Sequence, residues 1–219
     1  MVMAIMNNSN KAAPWSITTT DGVDVTALVM KFVNMVGLER VAPGRYSLLL
    51  VFDLINGYES RRLNPAKIMC EIEALEKCGQ ESRLKAPVQN KHQPLKGLWH
   101  KHYLPDSVGS IARNLFKGLK NHGLPQLKRL IDEAIASGEE RYFSEQDVNI
   151  ISHDAVYSTW ERLIDNCELT GEWIIFAKHG GKNYYLCIGN HDKAQHANLR
   201  KHIDAVCCKE FPFLSSILS

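Results

Sequence analysis

Two histidines separated by one lysine stand at His100-Lys101-His102, with Trp99 before them and Tyr103 after. Histidine titrates near neutrality and can serve as base or as acid in proton transfer. A neighbouring cation stabilises the charge that develops on a phosphorane. Trp99 or Tyr103 offers an aromatic face on which a nucleobase can stack. His100, His102, Lys101 and Arg113 are together chemically sufficient for metal-independent cleavage of RNA by attack of a 2′-hydroxyl. A second concentration lies at Lys178-His179-Gly180-Gly181-Lys182, followed by Tyr184 and Tyr185. Lys178, His179, Lys182 and Tyr185 would cradle RNA on a small sheet. The competing reading is that hairpin-tip charges serve solubility and that strand tyrosines pack.

Histidine also ligates metals. His92, His100 and His102, with Asp106, offer four donors from one stretch. Against this, no H-E-x-x-H occurs, and His191, His196 and His202 are spaced by five and six residues, which does not align them on one helical face. The six cysteines contain no C-x-x-C pair. Walker A, G-x-G-x-x-G, G-x-S-x-G and kinase signatures are absent from the sequence. The expectation is therefore no metal and no cofactor.

Charge is distributed unevenly. Between Arg83 and Ile131 there are ten basic residues and a single acid, Asp106, although the whole chain has a net charge of only +2. Arg113, Lys117 and Lys120 fall at i, i+4 and i+7, which places them on one side of a helix. Such a concentration of positive charge accelerates encounter with phosphate-bearing ligands and makes affinity depend on salt through counterion release. The bland alternative is a solvated helix face beside a polar loop.

These features resemble a chemical type, the small metal-independent ribonucleases and toxins, which place His, Lys, Arg and Tyr on a small sheet flanked by helices. The resemblance is one of general chemistry and assigns no residue. The functional expectation is an anionic partner, with RNA favoured, bound through segment 83–131, with ribonuclease activity of toxin or defence type attached to it. The alternative is a non-catalytic regulatory protein whose basic segment meets an acidic protein partner or a nucleotide.

The elements that must position these residues are legible from pattern. Residues 1–20 are polar and uneven and read as a loose arm; residues 21–219 read as a single α+β domain. Val25, Leu28, Val29, Phe32, Val33 and Val36 recur at helical spacing, and Gly37 follows as a natural stop. Ser47 to Ile55 is apolar on nearly every side and leans to helix, ended by Asn56-Gly57. Asn64-Pro65 is a capped helix start, with Gly79 closing that helix. Gln80 to Pro105 has no period and three prolines, and reads as a long functional loop.

Ser107 to His122 and Leu124 to Ser137 read as helices joined in an αα-hairpin. The inward sets are Val108, Ile111, Leu115 and Leu119, then Leu127, Ile131, Ala134 and Ile135. Val148 to Ile151 reads as a short strand, and Ser152 as the cap of a further helix. Glu172–His179 and Lys182–Gly189 flank Gly180-Gly181, a strong hairpin signature because both glycines tolerate positive φ. A last helix covers Asp192 to Lys209, after which Phe211 and Phe213 dock the C-terminus. The fold class is thus α+β: a mainly helical N-terminal two-thirds packed on a small antiparallel sheet that includes a C-terminal β-hairpin.

The longest strongly apolar run, Leu48 to Phe52, is closed by Asp53, and a membrane helix needs about 20 residues. No membrane partner is expected. Met1 to Thr20 lacks the basic and apolar regions of a secretory leader. Unpaired cysteines then point to a reducing cytoplasm.

Overall fold

In a computed structural model of the chain, the described residues are 2–6, 15–138 and 142–219. In chain order the elements are β1 (Val2–Met6), β2 (Trp15–Thr19), α1 (Thr26–Val36), α2 (Leu38–Val41), α3 (Leu48–Glu59), α4 (Pro65–Leu75), β3 (Val88–Gln89), β4 (Trp99–Tyr103), α5 (Val108–His122), α6 (Pro125–Ser137), α7 (Glu145–His153), α8 (Thr159–Asp165), β5 (Glu172–His179), β6 (Lys182–Gly189), α9 (Lys193–His202), α10 (Cys208–Glu210) and α11 (Leu214–Ile217). A π-helical turn, Asp154–Ser158, joins α7 to α8, and another, Ile203–Cys207, joins α9 to α10. The fold is α+β, and its antiparallel sheet includes the C-terminal hairpin. No helix among the described residues is long and apolar enough to cross a membrane.

The chain forms two compact units. The first comprises Met1–Ser82, Ala86–Pro105 and Gly171–Ser219; the second comprises Arg83–Lys85 and Asp106–Thr170.

The first unit is built on a four-stranded sheet in the order β3-β4-β5-β6. Gly180 and Gly181 turn the β5–β6 hairpin at φ of 55° and 73°, the left-handed region that side chains disfavour. Successive residues of β5 face opposite sides of the sheet. Ile174 and Phe176 join a core with α1 to α4, whereas Ile175 and Ala177 join a second core with the C-terminal segment. Burial on both faces explains why β5 reads as a continuous apolar run. The outer edge of β6 is covered by the chain before α3, since Tyr185 N–H donates to Arg45 O at 2.8 Å and Ser47 N–H to Tyr185 O at 2.9 Å. Ser47 also caps α3 by accepting from Leu50 N–H at 3.0 Å.

Several expectations change here. Within the expected loose arm, β1 and β2 pair antiparallel, and Trp15 and Ile17 are buried in the first core; residue 1 and residues 7–14 of that arm lie outside the described residues. The helix expected to stop at Asn56-Gly57 continues to Glu59. Glycine is required at 57 because a Cβ there would stand 2.7 Å from Leu63 Cβ. The helix from Asn64-Pro65 ends at Leu75 rather than at Gly79. The expected loop 80–105 contains β3 and β4, and β4 lies inside the sheet between β3 and β5. Its apolar alternation was hidden because its buried positions include Lys101 and His102.

The second unit is helical. Instead of the expected α5–α6 hairpin, α5 packs against α8 and α6 against α7. The buried positions of α5 are Ser110, Asn114 and Gly118, while Val108 and Ile111 are exposed. Asn114 explains part of this: its Oδ1 accepts from Thr170 N–H at 2.9 Å, and its Nδ2 donates to Ser110 O and Thr170 O. Gly118 explains the rest, because a Cβ there would lie 2.5 Å from Thr159 Cγ2. On α6, Leu130 is buried and Ile131 and Ile135 are exposed. The expected strand Val148 to Ile151 is part of α7, which starts in a capping box between Ser144 and Asp147. No new helix begins at Ser152, since α7 runs on through its π-helical turn.

Candidate functional site

Strand geometry separates the residues of the Trp99–Tyr103 run. On β4, alternate side chains leave opposite faces of the sheet, so His100 and His102 share one face and Lys101 takes the other. Lys101 is buried, with its Nζ 2.7 Å from Ser82 Oγ and 3.2 Å from Glu71 Oε2. Its charge is answered within the chain.

The two histidines join an aromatic cluster centred on Trp173. His100 stacks on the Trp173 ring with centroids 4.3 Å apart, and its Nδ1 lies 3.0 Å from Asn90 Oδ1. Burial, then the fields of His102, His191 and His196, pull the His100 imidazole down to about 4, so it is neutral at physiological pH. His102 is buried and stacks on His191 at 5.3 Å, and both point a ring nitrogen at Gly171 O, each at 2.8 Å. His196 completes the cluster 5.2 Å from Trp173. Among the described residues, no group of three or more His, Cys, Asp or Glu is placed to hold a metal.

The hairpin residues are likewise engaged. Lys178 Nζ sits 3.8 Å above the Trp99 ring, a cation–π contact, and Trp99 also packs beside Phe176. His179 stacks on Phe213 at 4.1 Å, and Lys182 is exposed at the tip. Tyr185 is fully buried, and its hydroxyl donates to Glu76 Oε1 at 2.7 Å. Glu76 also takes Arg45, at 2.6 Å.

In the second unit, α5 carries an exposed basic stripe. Arg113 and Lys120 are exposed and Lys117 is half-buried, its Nζ donating to Glu168 O. Burial, then the field of Lys85, lowers the Lys117 ammonium. Sequence reading passed over Phe116, which is 74% exposed. At roughly 100° per residue, Arg113, Phe116, Lys117 and Lys120 fall within a sector of about 100° on α5. The signal was present, since Phe116 sits between the basic positions and off the apolar spacing of the helix. His122 and Asn121 hold Glu168 at the end of this stripe, at 3.1 and 3.4 Å. Arg129 is paired with Glu133 at 2.6 Å.

A further feature belongs wholly to the first unit. A cleft of about 530 Å³ opens between α3, the end of β4, the start of β5 and the end of β6. Asp53, Asn56, Arg62, Tyr103, Glu172 and Asn190 supply its polar lining. Tyr103 and Glu172 are partners across the β4–β5 ladder, which puts their side chains on one face. Asp53 is a carboxylate in the apolar run of α3, and its Oδ2 accepts from Ile188 N–H at 2.8 Å. Burial pushes the Asp53 carboxyl up to about 6, against the opposing effect of that hydrogen bond. Gly57 O accepts from Arg62 N–H at 2.9 Å and from Leu63 N–H at 3.1 Å, which holds the loop that brings both residues to the rim. Asp53 was visible in the sequence only as the acid that closes an apolar run; Glu172 carried no signal.

No family model matches the chain, and no curated protein or solved structure does so. The fold and these features define an α+β protein with a basic, aromatic-bearing helix in one unit and a polar cleft in the other.

Proposed function

We propose that the protein binds single-stranded nucleic acid, with RNA favoured, through the α5 stripe of its second unit. The observation that carries this reading is Phe116, 74% exposed among Arg113, Lys117 and Lys120. An exposed aromatic ring between cations is the combination that single strands use: phosphates meet the charges, and a base stacks on the ring. Other apolar side chains of the second unit, Val108 and Ile135 among them, are exposed as well; Phe116 is set apart by the cations around it on the helix. A duplex would offer Phe116 no unstacked base.

His100, His102 and Lys101 stand outside this proposal. His100 stacks on Trp173, His102 is bonded to Gly171 O and Lys101 is held by Glu71, and these contacts support a structural reading of all three. The reading is therefore one of binding, and cleavage is a separate outcome of the same assay. Six free cysteines agree with action in a reducing cytoplasm. The test is RNA affinity across a salt series, comparing wild type with Phe116→Ala and with charge reversal at Arg113 and Lys120. Affinity for an acidic protein with none for RNA would transfer the stripe to the alternative partner.

A further inference from the structure

The cleft belongs to the first unit and the α5 stripe to the second, and the chemistry of the cleft runs the other way. Two carboxylates, Asp53 and Glu172, line the cleft together with one guanidinium, Arg62, which is exposed. Asn56 adds an amide, Asn190 adds another whose Oδ1 already accepts from Asp192 N–H at 3.0 Å, and Leu63 and Ile188 add apolar surface. A volume of about 530 Å³ lies within the range of small-molecule sites. Among the described residues the one hydrogen-bond donor to Asp53 is Ile188 N–H, and no cation is paired with it. The negative field on the cleft wall is also felt by Tyr103: burial, then Glu172 and Asp53, push its phenol up, so it stays protonated. Asp53 is half-buried; a carboxylate partly removed from water without a counter-ion is disfavoured, and a ligand that brings a positive charge offsets that.

We infer that this cleft is a binding site for a small aliphatic amine, whose ammonium is taken by Asp53 with Glu172 adding negative charge to the cleft wall and the Asn56 amide oxygen accepting a further N–H. Arg62 at the rim then selects against a second positive charge close to the first and favours a ligand with a polar or anionic far end. An amino acid with a side-chain ammonium has this form. Leu63 and Ile188 meet the methylene stem between the two ends.

The pH dependence follows from the same groups. Asp53 shares the cleft with Glu172 on β5, Tyr103 on β4 and Arg62 on the loop after α3, and its field reaches Tyr103 and the thiols of Cys187 and Cys207. Burial holds Asp53 partly protonated near pH 6. An ammonium favours the ionised form, so binding near pH 6 expels a proton and affinity increases from pH 5 to pH 7.

The experiment is titration calorimetry of the full chain with L-lysine, using propionate and glucose as anionic and neutral controls, at pH 5 and pH 7 and in two buffers of different ionisation enthalpy. The inference expects saturable binding of L-lysine, tighter at pH 7, with proton release near pH 6. Asp53→Asn keeps an acceptor for Ile188 N–H and so preserves the fold; it is expected to weaken binding by about tenfold or more, the scale of a hydrogen bond to a charged group. Glu172→Gln is the independent second variant and is expected to weaken it in the same direction. No L-lysine binding at millimolar concentration, binding indifferent to both variants, or equal binding of propionate or glucose would each overturn the inference.

Discussion

The imidazole of His100 lies on the indole of Trp173 with ring centroids 4.3 Å apart and planes 24° apart. The contact joins β4 to β5, and burial, then the fields of His102, His191 and His196, keep His100 neutral, at about 4 in the folded chain against an ordinary 6.5. Between those values the unfolded chain binds the proton more tightly, so stability falls as pH drops from 6.5 towards 4. His100→Phe keeps the stack and removes the proton. Denaturant unfolding at pH 7.5 and pH 4.5 should show the variant losing less stability than wild type, by about 1–2 kcal/mol once solvent screening is allowed for. Equal losses would show that His100 titrates normally.

Glu210 makes the opposite prediction. Its Oε1 accepts from Trp15 Nε1 at 2.7 Å and from Leu48 N–H at 3.0 Å, tying β2 and the start of α3 to α10. Burial pushes its carboxyl up to about 7. The folded chain therefore holds this proton more tightly than the unfolded chain, and stability is lost as pH rises from about 4.5 to 7. Glu210→Gln retains an acceptor without the charge. It should match wild type near pH 5 and exceed it at pH 8 by about 1–2 kcal/mol. Glu210→Ala should instead cost about 1–3 kcal/mol at either pH, because it strands buried donors.

Lys101 separates structure from function. Its ammonium, 3.2 Å from Glu71 Oε2, is buried inside the first unit. Lys101→Met leaves the Glu71 carboxylate with a lost counter-ion, and breaking a buried pair costs about 3–5 kcal/mol. The variant should show that loss in chemical denaturation, while the RNA affinity of the fraction that remains folded stays at the wild-type value.

Gly118 tests the α5–α8 contact that positions the stripe. Alanine is the better helix former by about 1 kcal/mol. A Cβ at this position, however, would stand 2.5 Å from Thr159 Cγ2 and 3.1 Å from Leu163 Cδ1. Overpacking costs about 1–3 kcal/mol, so Gly118→Ala should destabilise the second unit despite its propensity. Greater stability in thermal unfolding would show that α5 and α8 sit further apart.

What the sequence made legible follows from how local each signal is. Gly180-Gly181 between two apolar runs announced β5 and β6, since the turn chemistry sits in adjacent residues. The helix starts at Ser47, Asn64, Ser107 and Asp192 are likewise short-range, and each is observed as a side-chain cap. The strand β4 was hidden because Lys101 and His102 are buried there through partners elsewhere in the chain, Glu71, Ser82 and Gly171. The buried face of α5 was misread for a similar reason, because Asn114 is held by Thr170. The cleft was beyond reach, since Asp53, Tyr103 and Glu172 come from three distant segments that only the sheet brings together. The basic segment itself was plain, as was the nearness of Glu133 to Arg129 at i, i+4, but its pairing with Glu71 and Glu168 was not.

The most direct test of the account is the equilibrium binding of a fluorescent single-stranded RNA across a salt series, with the RNA run on a gel afterwards. Wild type should bind at low salt and weaken with a log–log slope near −2, about −0.7 for each of three phosphates. Phe116→Ala, on an exposed ring, should lose about tenfold in affinity, and Arg113→Glu with Lys120→Glu should lose more and flatten the slope. The RNA should remain intact, and His100→Ala should leave affinity unchanged. Absence of binding at low salt, or binding indifferent to Phe116, Arg113 and Lys120, would contradict the assignment of α5 as a nucleic-acid surface.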